Sequence, residues 1–335
     1  MKKVINKYLS KIIAAIVIIA LLSLAANVGN SYWLTVLNAS LIYVVAVLGL
    51  SLLLGMGGMM SFATVSFMGI GAYASANLAI SLGISGVFSI ILAVVITVVI
   101  GGLLGFLLLR LRNAYFSFAT IGIVQVFYAL FLNYKPLTGG PNGMGGIPKL
   151  SLGFITLTDA KQWLVFLVII VLVCSFILER IRSTSLGRSL AAIRDNELVA
   201  QTQGINIYKT KMIAFMISAA FGGLAGALYA FLNSYLSAYL FTFDLSIRFL
   251  VMVMLGGVNS TAGAVIGSLI VNFLPEVFRF LEGYMKLING IAIILLMIFM
   301  PMGIMGIVGN ISRWMRKKMS DRKTKVTVKK SKENE

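Results

Sequence analysis

GVFSIILAVVITVVIGGLLGFLLL, residues 86–109, is a continuous apolar run without one charged side chain. It is longer than the roughly 18 residues at which such a run reads as a membrane span rather than a buried soluble helix. Its surroundings extend the pattern, because no Asp, Glu, Lys or Arg occurs anywhere from Ile12 to Leu109. A globule in water has to wet its surface, and this segment offers nothing to do so. A helix facing hydrocarbon has no water to meet, and a charge there is costly. The composition of all 335 residues agrees, with 59% hydrophobic and 11% charged against roughly 25% charged for an ordinary soluble domain. The expected fold class is an all-α polytopic membrane protein.

Spans of about 20 apolar residues are expected near 12–30, 35–55, 62–81, 86–109, 114–133, 162–180, 211–233, 245–257, 262–281 and 287–309. The segment 245–257 is short and meets Gly256-Gly257, and 35–81 is broken at Gly55, Gly57 and Gly58. Collapsing either glycine-broken hairpin removes two crossings at once, which leaves 8–10 transmembrane helices, eight or ten. Either count keeps both termini on one side. Lys and Arg concentrate at the two ends, at Arg110 and Arg112, and from Arg180 to Lys211. Basic loops mark the cytoplasm, so the N- and C-termini are expected to be cytoplasmic. Only Lys135, Lys149, Lys161 and Lys286 fall outside, with Arg248 and Arg279 near helix ends.

The chain then divides into a basic cytoplasmic N-terminus, 1–11, one transmembrane domain, 12–309, and a basic cytoplasmic tail, 310–335. The domain carries a Gly- and Pro-rich external loop at 134–161 and a polar cytoplasmic loop at 181–210. The N-terminus has the basic head, apolar stretch and small residues (Ala25, Ala26) of a signal peptide. Lys2, Lys3, Lys7 and Lys11 ahead of many later spans make it a retained first helix instead. The Lys-rich tail reads as an anchor to anionic membrane lipid.

The net charge of +18 sits in membrane-flanking loops, so no nucleic-acid partner is expected. With no His and the single Cys174, zinc sites and His-based catalysis are excluded, and no metal site is expected. There is no carboxylate pair or Ser–Lys arrangement for a membrane enzyme, so no catalytic residue is assigned. No G-x-x-x-x-G-K-[ST] occurs, so the chain has no P-loop for ATP, and no cofactor is expected on it. An ion-driven secondary transporter, the rival reading, usually carries acids at bilayer depth. Here most of the ten acids lie in loops, helix ends or the tail, with Glu276 nearest to an exception. The chain reads as a pathway without a motor.

Gly101-x-x-x-Gly105 and Gly222-x-x-x-Gly226 place small residues on one helix face for close packing. Two further glycine pairs, in GGMMS (57–61) and GGVNS (256–260), each follow an apolar helix and precede a small-residue one. Unwound backbone at matching places in two halves is a sequence pointer to a transport pathway. Pathway candidates beside these elements are Ser61, Thr64, Ser66, Tyr73, Asn77, Asn259 and Ser260, with Gln125 on the helix at 114–133. Each side chain could equally close an interhelical hydrogen bond.

The polar loop RSTSLGRSLAAIRDNELVAQTQGINIYKTK (182–211) contains a short helix between two local signals. Asp195 or Asn196 can cap it, with Glu197 in its first turn, and Gly204 stops it. Leu198, Val199 and Thr202 share one face, flanked by Arg188, Arg194, Lys209 and Lys211. Such an element either lies on headgroups or docks into a partner's groove.

From Ser185 to Ala230 (SLGRSLAAIRDNELVAQTQGINIYKTKMIAFMISAAFGGLAGALYA), through MVMLGGVNSTAGAVIGSLI (252–270) and PMGIMG (301–306), the chain resembles the LivM family. These are permease subunits of ABC importers for branched-chain amino acids. SFATVSFMGIGAYASA (61–76), AYFSFATIGIVQV (114–126) and LTGGPNGMGGIP (137–148) fit as well. The resemblance implies that this chain forms half of a pore with a second homologous, LivH-like permease. It also implies two ABC ATPase subunits that use ATP beneath the pore, an external substrate-binding protein, and the inner (plasma) membrane of a prokaryote. The coupling element it implies runs through Arg194, Asp195, Glu197, Leu198, Ala200 and Gly204, with Glu197 one residue early for the family's acidic position. Two departures touch the substrate. Relatives commonly read G-Q-x-S-L-G-H where this chain has Gly58 to Thr64, and often Glu at the place of Gln125. Urea or amides, sugars and nucleosides therefore stand as alternative solutes beside branched-chain amino acids.

Overall fold

The computed structural model describes residues 31–111, 114–151 and 156–277, with position 290. The helices expected near 12–30 and 287–309, position 290 apart, and both basic termini, with the whole of the tail's anchor segment, lie outside the described residues. Within them, helix α1 (Ser31–Ser51) continues as a π-helical turn, Leu52–Met56. Then follow α2 (Thr64–Ser81), α3 (Gly86–Leu108), α4 (Ala114–Asn133), the single turn α5 (Lys135–Thr138) and α6 (Ala160–Ser183). The chain goes on through α7 (Ser185–Asp195), α8 (Glu197–Thr202), α9 (Ile207–Asn233), α10 (Phe243–Gly256) and α11 (Thr261–Val277). The architecture is all-α, as the apolar runs require in a solvent where backbone groups find no water. Among the described residues 5 helices are long and apolar enough to cross a membrane: α1 with its π turn, α3, α4, α6 and α9. The shorter α2, α10 and α11 stand where the glycine-broken hairpins were expected.

Helix α9 is the hub, packed against α1, α2 and α3, while α10 pairs with α11, and α1 also carries α6 and α11. The sorting of residues is that of a membrane protein. On α3 the buried stripe is Ser89, Ala93, Thr97, Gly101 and Gly105, one residue per turn. Its exposed face carries Phe88, Val95, Val99, Leu103 and Phe106. Small residues turn inward because lipid gives no hydrophobic drive between helices, so contact area comes from backbone approach. A Cβ on Gly101 would stand 2.6 Å from that of Ala219, and one on Gly222 2.8 Å from that of Phe67. At Gly226 it would stand 1.8 Å from the carbonyl oxygen of Met68. Both glycine pairs thus line seams of the α9 hub. Few polar bonds cross the bundle; one is Asn272 Nδ2 donating to Ser40 Oγ at 2.6 Å, which ties α11 to α1. Glu276, the acid nearest bilayer depth, accepts a hydrogen bond from the Tyr32 hydroxyl.

The Gly- and Pro-rich loop is folded. After α5 and a 3-10 turn, Met144–Gly145 (β1) pairs antiparallel with Tyr235–Leu236 (β2) from the α9–α10 connection. Gly143, at φ 72°, sits where a Cβ would meet the Leu236 carbonyl oxygen at 2.3 Å, so the approach requires glycine. The Tyr235 hydroxyl donates to the Asn142 carbonyl at 2.8 Å. This ribbon closes one end of the bundle, and the glycine turns with α7 and α8 stand at the other.

The hub makes a direct prediction. Gly226→Leu drives a side chain into the α2 backbone and lowers stability by about 3 kcal/mol, the upper end for overpacking. Gly122→Ala on α4, where a Cβ would meet nothing within 4 Å, leaves stability unchanged or slightly raised. Thermal unfolding of the purified protein in detergent distinguishes the two; equal losses would refute the seam.

Candidate functional site

The polar loop folds as two helices, with the short α8 held at both ends. Asn196, rather than Asp195, is the cap: its Oδ1 accepts from the amides of Leu198 at 3.0 Å and Val199 at 3.2 Å. At the other end Gly204, at φ 77°, lets the Ile205 amide reach the Ala200 carbonyl at 3.2 Å while its own amide reaches Gln201 at 3.0 Å. That pair of bonds is the Schellman stop. Ala200 faces inward, whereas Leu198 is 75% and Val199 56% exposed. Glu197 does not project freely, because the Lys211 ammonium at the start of α9 is ion-paired with it.

Arg194 and Asp195, at the end of α7, connect this helix to the two glycine turns. Asp195 Oδ1 accepts from Arg194 Nε at 3.1 Å and Nη2 at 2.9 Å. Arg194 Nη1 then donates at 2.8 Å to the carbonyl of Gly55 and at 2.8 Å to Oδ1 of Asn259. The turns themselves touch, since a Cβ on Gly55 would lie 2.1 Å from the Val258 carbonyl oxygen. Two hydrogen bonds from residues outside the sequence candidates complete the set. Arg182 Nη1 donates to the Asn259 carbonyl at 2.5 Å, and Thr261 Oγ1 donates to Glu179 Oε1 at 2.5 Å. These pairs are separated by 77 and 82 residues, so only the fold brings them together.

The pathway candidates separate into groups. Asn259 and Ser260 lie in the second glycine turn, where Ser260 Oγ accepts from the Gly263 amide at 3.0 Å and opens α11. Ser61 is buried at the start of the α2 segment, its Oγ accepting from the Ala63 amide at 3.3 Å. Thr64, Ser66 and Tyr73 are buried along α2, and their hydroxyls find no hydrogen-bond partner among the described residues; Ser218 on α9 and Ser246 on α10 share that state. Tyr73 is wedged between Phe131 and Phe241, ring centroids 5.0 and 5.8 Å away. Asn77 donates to the Leu137 carbonyl at 2.7 Å and joins α2 to the folded loop. Gln125 stands apart on the exposed face of α4. Beside the first glycine turn a cleft of about 580 Å³ is walled by Met60, Phe116, Phe118 and Ile121, with Glu197 and Lys211 at its polar side. No group of three or more His, Cys, Asp or Glu that could hold a metal occurs among the described residues.

With this geometry in hand, comparison with known proteins gives a family. The model for the permease component of branched-chain amino acid transport systems matches residues 32–301. The high-affinity branched-chain amino acid transport system permease protein LivM of Salmonella typhimurium is 31% identical over 289 residues, covering 79% of this chain and 68% of that protein. LivM of Escherichia coli K12 is similar to the same extent. The LivH permease protein of Salmonella typhimurium is 27% identical over 298 residues, 79% of this chain and 91% of its own length. No solved structure matches. The chain belongs to the family of branched-chain amino acid transport permeases, and it is a multi-pass membrane protein of LivM-like sequence.

The caps of α8 yield a second prediction. Asn196→Ala removes the acceptor of two amides and costs about 1 kcal/mol locally. Gly204→Ala forces a Cβ into the left-handed region and costs about 1–2 kcal/mol, with no clash to add. Amide hydrogen exchange at Leu198, Val199 and Ala200 accelerates roughly five- to thirtyfold in either variant. Unchanged exchange would show that neighbours other than the caps fix the helix.

Proposed function

We propose that this chain forms half of the translocation pathway of an ATP-driven importer of branched-chain amino acids. A second, LivH-like permease supplies the other half. The assembly sits in the inner (plasma) membrane of a prokaryote with both termini in the cytoplasm. Two separate ATPase subunits bind and use the ATP, an external binding protein delivers the solute, and this chain catalyses nothing and binds no cofactor. The observation that carries the reading is α8, a short helix stapled at both ends that presents Leu198 and Val199 outward beside the glycine turns. A six-residue helix is unstable in water by itself, so fixing one with its apolar face outward suits a docking knob in an ATPase groove. ATP-driven closure of the ATPase dimer would then push on α8 and rock the bundle between outward- and inward-facing states.

The hydroxyls of Ser66 and Tyr73, without partners among the described residues and seven positions apart on one face of α2, support a polar lane inside the bundle, with that of Thr64 at the start of the helix. A hydroxyl without a partner in a dry interior costs roughly 1–3 kcal/mol, and a passing zwitterion or its water supplies one. Ser61, Asn259 and Ser260 stand at the inner end of that lane, and Gln125 faces the surface offered to the second permease.

Two measurements test this reading. In a reconstituted complex, Leu198→Asp with Val199→Asp releases the ATPase subunits and abolishes uptake of leucine, isoleucine and valine, while membrane insertion is retained. Uptake of urea, a sugar or a nucleoside in place of these amino acids would overturn the substrate. Tyr73→Phe removes a buried hydroxyl that has no partner among the described residues, so stability is unchanged or rises, by up to about 1–3 kcal/mol. The KM for uptake rises severalfold, and an unchanged KM would remove Tyr73 from the lane.

A further inference from the structure

Helix α1 ends badly for a buried helix. In its π turn the amide of Gly57 bonds back to the carbonyls of Leu52, Leu53 and Leu54, Gly58 to Leu54, and Met59 to Leu53. The Gly55 carbonyl takes none of these amides, although it lies at the negative end of the helix dipole. The Arg194 guanidinium fills that need and the Asn259 amide oxygen through one nitrogen, while Asp195 holds the other side of the fork. There is no slack around it: a Cβ on Gly58 would stand 2.8 Å from Arg194 Cγ. Arg194 lies two residues before Asn196, the cap that starts α8.

We infer that Arg194 is a positioning residue that locks α8 to both glycine turns, so that a displacement of α8 moves the end of α1 and the α10–α11 turn as one body. A planar fork with several donors can serve Gly55, Asn259 and Asp195 together, whereas an ammonium is a point charge without that geometry. Arg182 and Glu179 at the end of α6 hold the second turn from its other side through the Asn259 carbonyl and Thr261. The turn therefore sits between two struts, α6 on one side and α7 on the other. The inference rests on α8 as the ATPase contact proposed above and adds the route by which its motion reaches the pathway.

The test is uptake per ATP hydrolysed, with the complete complex in liposomes and leucine delivered by its binding protein. Arg194→Gln and Arg194→Lys keep the ATPase subunits bound but lower uptake per ATP on the order of tenfold. Asn259→Ala, which removes one acceptor and leaves the Gly55 bond, lowers it less. The double variant Arg194→Gln with Asn259→Ala is no worse than Arg194→Gln alone, since both break one interaction. Wild-type uptake per ATP in Arg194→Gln, or additive losses in the double variant, overturns the inference. If the Arg194 variants do not assemble, Asn259→Ala decides: normal uptake per ATP there overturns it. Failure of the underlying reading looks different. ATPase subunits that stay bound to Leu198→Asp with Val199→Asp refute docking through α8, whereas their release alongside a fully coupled Arg194→Gln refutes only the lock.

Discussion

The backbone of α9 lies so near that of α2 that nothing larger than hydrogen fits between Gly226 and the Met68 carbonyl. This contact sets the spacing of the bundle. In hydrocarbon a helix pair gains little from hiding apolar side chains, which lipid solvates equally well, so stability comes from backbone proximity and dispersion. Gly222 and Gly226 supply that proximity toward α2, and Gly101 and Gly105 supply it toward α3. Once α9 is seated, α2 is enclosed, and its hydroxyls lie inside the bundle rather than against lipid.

The same solvent makes the two glycine turns expensive and therefore informative. Non-helical backbone at membrane depth persists only where protein or a wet cavity meets its polar groups. Here the first turn receives Arg194 at Gly55 and Ser117 Oγ at the Met60 carbonyl, 2.9 Å away. The second receives Arg194, Arg182 and, next to it, the Thr261–Glu179 bond. The cations that mark this end of the chain in sequence are thus partly structural: Arg194 caps the end of α1 at Gly55, and Arg182 meets the Asn259 carbonyl in the second turn.

Much of this was legible in the residues, and the limits of legibility are physical. Helices α3, α4 and α9 fall where uninterrupted apolar runs placed them, because in lipid hydropathy and helix formation are the same constraint. The stop at Gly204 was readable because a left-handed residue is a local demand on one amino acid. Which of Asp195 and Asn196 caps α8 was not: both side chains can accept amide hydrogens, and the choice follows from Arg194 drawing Asp195 away. Nor could sequence give Arg182 and Glu179 their partners, which are distant in the chain and specified by packing alone. Gln125, grouped in sequence with the pathway residues, projects from the exposed face of α4, a direction that helix periodicity without a packed neighbour does not reveal.

The polar loop illustrates how a membrane protein makes a rigid part from weak materials. Six helical residues cannot meet the cost of their own nucleation, and the loop has little apolar area to bury. Rigidity is imported instead. Asn196 closes the first amides, Gly204 closes the last carbonyls, Lys211 ties Glu197 to α9, and Arg194 ties the preceding helix to α1 and the α10–α11 turn. Every one of these ties ends on an element of the transmembrane bundle or on α8 itself. A force applied to the exposed Leu198 and Val199 has no soft segment in which to dissipate before it reaches the bundle. The charge of the loop, which first appears as an interruption of the hydrocarbon, is what fastens it there.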